Sequence, residues 1–242
     1  MKDPFNKPSF ETTRWSVVVS AGQDDSKLAR DAMEQLCRRY WFPLFAFIRR
    51  RGYGECDAED LVQAFFVRVV EKDVFAAADQ DRGRFRTFLL TSLENFLSNE
   101  YAKATALRRG GGNPRLSLDL RNADGQRSHW IADGGRAEDE YHRQWAIAAL
   151  DAALKSVQTE YEREGNATLF SELRPYLSTD GERKPYALVA EALGISPTNV
   201  KVAVHRLRKR YRRQLESEIA STVESPEHIE DEIRQLFQAL GG

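Results

Sequence analysis

The chain reads as all-α: two helical domains joined by a flexible linker. Three observations predict this. Apolar residues recur at the three- and four-residue steps of helices, no stretch alternates as a strand would, and a polar, Gly- and Asp-rich tract follows Arg108-Arg-Gly-Gly-Gly-Asn-Pro114. At 242 residues, 41% hydrophobic and 30% charged, the chain is long enough for one large domain or two small ones.

The helical pattern covers residues 12–20, 25–51, 57–72 and 84–106. A tract over 108–136 then has the composition of a linker and exceeds the length compact domains usually tolerate. Helical periodicity returns at 137, with further helices near 166–177, 186–193 and 197–218. Ser225-Pro226-Glu227 has the form of an N-cap with proline at the first helical position, opening a terminal helix to about residue 240. The expected division is a first domain over 1–107, the linker over 108–136, a second domain over 137–222 and an extension over 223–242.

No apolar run approaches the roughly 20 residues needed to span a bilayer, and Met1-Lys-Asp-Pro-Phe5 lacks a signal-peptide core. Cys37 and Cys56 form no C-x-x-C pair and no disulfide framework. A cytoplasmic protein without membrane insertion is expected. The formal net charge is −1, but the charge is segregated. From Lys201 to Arg213 the chain carries Lys201, Arg206, Arg208, Lys209, Arg210, Arg212 and Arg213 and no acid, whereas acid gathers at residues 57–60, at 138–140 and beyond Glu216.

The basic segment closes a helix-turn-helix pattern. Val189, Ala190 and Leu193 give a first helix its apolar face, Gly194 supplies a left-handed turn position, and Ile195 is placed to plug the angle between the helices. Ser196 caps the next helix and Pro197 fits its first position, where the N–H has no partner in any case. A step of about 100° per residue puts Val200, Ala203, Val204, Leu207 and Tyr211 on one buried stripe. Thr198, Asn199, Lys201, Val202, His205, Arg206 and Lys209 then face outward. Early residues of such a helix meet base edges in the major groove, and later Arg and Lys, Arg208 included, suit phosphates.

On the 57–72 helix, Leu61, Val62, Phe65, Phe66 and Val69 make the buried stripe, leaving Asp60, Gln63, Ala64, Val67 and Glu71 outside. Asp57 also fits an N-cap, with Asp60 three residues on completing a capping box. The 84–106 helix buries Phe85, Phe88, Leu89, Leu93 and Phe96, and is expected to turn Arg86, Thr87, Thr91, Asn95, Ser98 and Tyr101 outward.

Asp57-Ala-Glu-Asp-Leu-Val-Gln63, with Phe66 and Arg68, resembles region 2 of bacterial sigma factors, the subunits that direct RNA polymerase to promoters. Phe85-Arg-Thr-Phe-Leu89 with Asn95 is similar to the later part of that region, and Val200-Lys201 with His205-Arg206 and Arg208 is similar to region 4. Their order, with the intervening linker, resembles the extracytoplasmic-function group over roughly residues 30–215. The resemblance implies that Asp57, Glu59, Asp60, Gln63, Ala64 and Val67 dock core RNA polymerase. It also implies that Arg82, Arg84, Arg86, Thr87, Asn95 and Tyr101 hold the minus-ten element of promoter DNA as its strands part. The helix-turn-helix residues Thr198, Asn199, Lys201, Val202, His205, Arg206, Arg208 and Lys209 would read the minus-thirty-five element. An anti-sigma factor or a kinase-type regulator is the further partner such proteins imply.

Two departures qualify what is carried over. The family usually has Glu after that Gln, where this chain has Ala64, so docking is expected to be weaker or conditional on phosphorylation or a helper protein. Val202 and Ala203 stand where relatives often carry a polar residue and Arg. Val202 can meet a thymine methyl and Ala203 cannot donate, so the promoter sequence does not transfer.

Arg49-Arg50-Arg51 ends a helix, where cations suit the dipole, so a structural role is expected. The acidic helix at the C-terminus is expected to pack on the helix-turn-helix domain or to bind a regulator. Two other functions compete: a repressor or activator that uses the helix-turn-helix without polymerase, and a nuclease with Asp57, Glu59 and Asp60 on a metal. No His joins those carboxylates, and Asp60 lies roughly 300° around the helix from Asp57. No catalytic residue, metal or cofactor is expected.

Overall fold

A computed structural model of the protein describes residues 27–71, 84–109, 135–178, 183–223 and 225–241, and within them all regular structure is helical. The elements are α1 (Lys27–Arg50), α2 (Glu55–Glu71), α3 (Phe85–Arg109), α4 (Ala137–Arg163), α5 (Ala167–Leu173), α6 (Tyr186–Leu193), α7 (Pro197–Ala220) and α8 (Ile229–Ala239). Short 3-10 turns at Arg174–Tyr176 and Pro226–His228 follow α5 and precede α8. The expected helix over 12–20, most of the linker and Arg82 lie outside the described residues.

The chain divides into two units, residues 1–147 with 220–242, and residues 148–219. The expected boundaries lay at the linker and after residue 222. The observed ones fall inside α4 and at the end of α7, because the start of α4 and the C-terminal helix supply core residues to the first unit. Tyr141 and Trp145 of α4 are buried, with the Tyr141 ring edge-on to Phe47 of α1 at 6.5 Å. The Tyr141 hydroxyl donates to the backbone oxygen of Arg86 at the start of α3, 2.9 Å away.

In the first unit α1 buries Tyr40, Leu44, Phe47 and Ile48, and α2 buries Leu61, Val62, Phe65 and Val69. Phe66, expected inside, is half-buried and tilts against Phe65. From α3 come Phe85, Leu89, Leu93 and Phe96, joined by Leu90 and Leu97, and from α8 Ile233 and Leu236. The arginine run closing α1 is structural. Arg49 donates to the Tyr53 carbonyl at 2.7 Å, Arg50 to that of Gly135 at 3.2 Å, and Arg51 pairs with Glu94 at 2.5 Å.

The second unit packs α4, α5, α6 and α7 around Val157, Tyr161, Phe170, Leu173, Val189, Val200, Val204 and Leu207. Tyr176 and Tyr186 stack at 5.1 Å on its flank. Arg210 lies 4.8 Å over the Tyr161 ring and donates to Glu164 at 2.8 Å, tying α7 back to the end of α4.

Candidate nucleic-acid interface

The turn between α6 and α7 has the geometry the sequence specifies. Gly194 adopts φ 65°, and its N–H reaches the Glu191 carbonyl at 3.2 Å while that of Ile195 reaches Ala190 at 3.0 Å. These two bonds make a Schellman turn, which satisfies the last carbonyls of α6. A Cβ at Gly194 would meet no atom within 4 Å, so glycine is required there by the backbone alone. The Ser196 hydroxyl accepts from the Asn199 N–H at 3.2 Å, capping α7 with Pro197 at its first position. The two helices meet at 96°, within the usual range of DNA-binding helix pairs. Ile195 departs from expectation. It is 37% exposed, and the angle is filled instead by Val189, Val200 and Val204.

The outer face of α7 is exposed along Thr198, Asn199, Lys201, Val202, His205, Arg206 and Lys209, and Arg213 extends it by a turn. The basic segment splits by direction. Arg208 donates twice to the Tyr176 carbonyl, at 3.0 and 3.2 Å, and Arg212 pairs with Glu216 at 2.7 Å. No described carboxylate pairs with Lys201, Arg206, Lys209 or Arg213. Arg208, expected on phosphate, is thus held against the fold, while those four cations point to solvent with side chains long enough to reach a phosphate backbone.

In the first unit Asp60, Gln63, Ala64 and Val67 of the α2 face are exposed as the periodicity has them, Val67 by 55%, and Glu59 is exposed beside them, while the side chain of Glu71 lies outside those described. Asp57 is no N-cap. The helix begins at Glu55, with the Ala58 N–H on the Gly54 carbonyl, so Asp57 lies inside the first turn, where its charge still suits the dipole. Among the described residues no three His, Cys, Asp or Glu side chains gather as metal ligands.

On α3 the expected strand-binding residues separate. Thr87, Asn95 and Tyr101 are exposed, Tyr101 by 53%. Arg86 corrects the expectation that it turns outward, being only 5% exposed. Its guanidinium lies 4.5 Å over Trp145 and donates to Glu232 of α8, from Nε at 2.6 Å and from Nη2 at 3.2 Å. Nη2 also donates to Gln235 at 2.5 Å, and Nη1 contacts His142 Nδ1 at 2.7 Å. Arg84, 28% exposed, pairs with Asp231 and with Glu232, the latter at 2.7 Å, and donates to Gln235. Sequence reasoning missed α8 as the partner. The signal lay in the spacing, because Arg86 shares its helical face with Leu90, Leu93 and Leu97, and Glu232 shares its own with Ile229, Ile233 and Leu236.

Burial, and then the charge of Arg86, lower the pKa of His142 from 6.5 to about 4, so the ring is neutral at pH 7 and accepts from the guanidinium. A base with a depressed folded pKa contributes stability that is complete above its unfolded pKa and is lost as pH falls through 6.5 toward 4. With allowance for the partly exposed ring, the expected loss between pH 7 and pH 5 is about 1 kcal/mol. Urea unfolding at the two pH values reads it. His142→Asn, which cannot titrate, should remove most of the difference, and an equal loss in that variant would assign the effect to other groups.

No family model, curated protein or solved structure matches the chain.

Proposed function

We propose that the chain is a sigma factor of the extracytoplasmic-function type, which brings core RNA polymerase to promoters in the cytoplasm. The observation that carries this reading is a helix-turn-helix with a free basic face in the same chain as a second helical unit whose α2 turns Asp60, Gln63, Ala64 and Val67 to solvent. That α2 face mixes acid, amide and apolar groups, a composition suited to a helical partner. The α7 face supplies groove and phosphate contacts, and Thr87, Asn95 and Tyr101 on α3 offer polar and stacking groups to a single strand. An anti-sigma factor or kinase-type regulator would act on these same surfaces.

The test combines co-purification with core polymerase and run-off transcription on a library of upstream regions. Val67→Arg puts a charge at an exposed position, so it should fold normally, lower polymerase capture by about tenfold and leave duplex binding intact. Ala64→Glu, which restores the residue family members usually carry, should raise capture. A chain that never captures polymerase is instead a conventional helix-turn-helix regulator, and would bind duplex operators alone as a dimer on symmetric half-sites.

A further inference from the structure

We infer that α8 is an acidic cap, which holds Arg84 with carboxylates in place of nucleic-acid phosphates and gives it up when a single strand binds. The inference rests on the promoter-binding reading for what α3 would otherwise hold.

The two arginines at the start of α3 have different parts in the cap. Arg84 precedes the helix, its carbonyl accepting from the N–H groups of Thr87 and Phe88, at 3.0 and 3.1 Å. At about 100° per residue it falls on the same arc as Thr87, Thr91 and Asn95, all exposed. Arg84 is therefore the cationic start of the polar track along α3. Arg86 sits in the opposite, apolar arc and anchors α8 through Glu232, which is 1% exposed.

The contact at Arg84 is suited to exchange. Of its two carboxylate partners, Glu232 is buried but keeps both Arg86 contacts when Arg84 leaves, and Asp231 is 42% exposed and also pairs with Arg234 at 3.1 Å. A pair open to water to this degree contributes little net stability, so a phosphate offering the same oxygen geometry competes on near-equal terms. The Arg86–Glu232 anchor is closed to water and gives way only if α8 leaves as a whole. With 11 residues α8 is shorter than the ~12–15 that an isolated helix needs to persist in water. It is therefore docked and helical or released and unfolded, a two-state element. Binding and release are graded accordingly: exchange at Arg84 first, and full uncapping when a partner holds the strand along α3.

The test uses the full chain and, as probe, a fluorescein-labelled single-stranded DNA of mixed sequence about 20 nucleotides long. Asp231→Asn should tighten binding about fivefold at 50 mM salt and steepen the log–log salt dependence by about 0.7, the increment for one added phosphate contact on a single strand. Glu232→Gln, by releasing α8, should do at least as much and raise amide exchange over residues 229–239. Adding Arg84→Ala to Asp231→Asn should abolish the gain. Glu227→Gln makes the same charge change at an exposed position before α8 and should give none. Equal affinity in wild type, Asp231→Asn and Glu232→Gln overturns the cap, as does an equal gain in Glu227→Gln. Polymerase capture by the same preparations separates the two claims. Capture without the gain removes the cap alone, and the gain without capture removes the sigma reading and leaves the cap on a different nucleic-acid binder.

Discussion

Replacing Lys201, Arg206 and Lys209 together with alanine is expected to weaken duplex DNA binding by about 10²–10³-fold at 50 mM salt, and to flatten the log–log salt slope by about 2.7. The magnitude follows from counterion release, since each phosphate neutralised on a duplex contributes about 0.9 to the slope, equivalent to roughly tenfold in affinity at that salt. These three side chains are exposed on α7 and have no described carboxylate partner, so removing them breaks no described ion pair. Fluorescence anisotropy on duplex DNA across a salt series provides both numbers. Arg208→Ala is the contrasting case. It breaks two hydrogen bonds to the Tyr176 carbonyl, so it should lower the stability of the second unit and leave the salt slope nearly unchanged. A flattened slope in Arg208→Ala would return that residue to the DNA face, and an unchanged slope in the triple variant would remove α7 from it.

The difference between Arg208 and its neighbours shows what a sequence can carry. Cap, turn and stripe of the helix-turn-helix are local: Gly194, Ser196, Pro197 and the spacing of Val200, Val204 and Leu207 each act within a turn or two. Their geometry was legible to single residues. The direction of a long basic side chain is not local, because Arg208 and Arg210 find oxygens on Tyr176 and Glu164, which only the folded unit brings near. The α2 stripe was legible for the same reason as the turn. Its start was not, because Asp57 and Glu55 are both acceptable near a helix N-terminus. The largest gap was the C-terminal helix. A lone Arg within one apolar stripe and a lone Glu within another each mark a buried ion, but their pairing spans 146 residues and no spacing rule connects them. The charge of Arg86 suggests a nucleic-acid contact, but its leucine neighbours set its environment.

Glu232→Ala tests that pairing, and its largest effect should be local. With α8 held in place, the substitution leaves the Arg86 guanidinium, 5% exposed and stacked on Trp145, without either carboxylate oxygen. A buried ion that loses its partner costs about 3–5 kcal/mol. Release of α8 offers another route, since it lets water reach Arg86 and gives up mainly the burial of Ile233 and Leu236, about 1.5–3 kcal/mol each before the regained chain entropy is counted. Release is therefore the cheaper response, and the loss appears as local unfolding. Amide exchange over residues 229–239 should rise by 10²-fold or more, while α1, α2 and the body of α3 keep their protection. Arg86→Met combined with Glu232→Leu should recover more than half of the lost protection, because a buried ion pair replaced by apolar side chains of similar volume is often neutral or better. Unchanged exchange in Glu232→Ala would mean that Ile233 and Leu236 hold α8 without the ion pair. A fall in protection throughout the first unit would instead make α8 part of its indivisible core; the first outcome removes the ion pair as the anchor, and the second removes the separate release of α8.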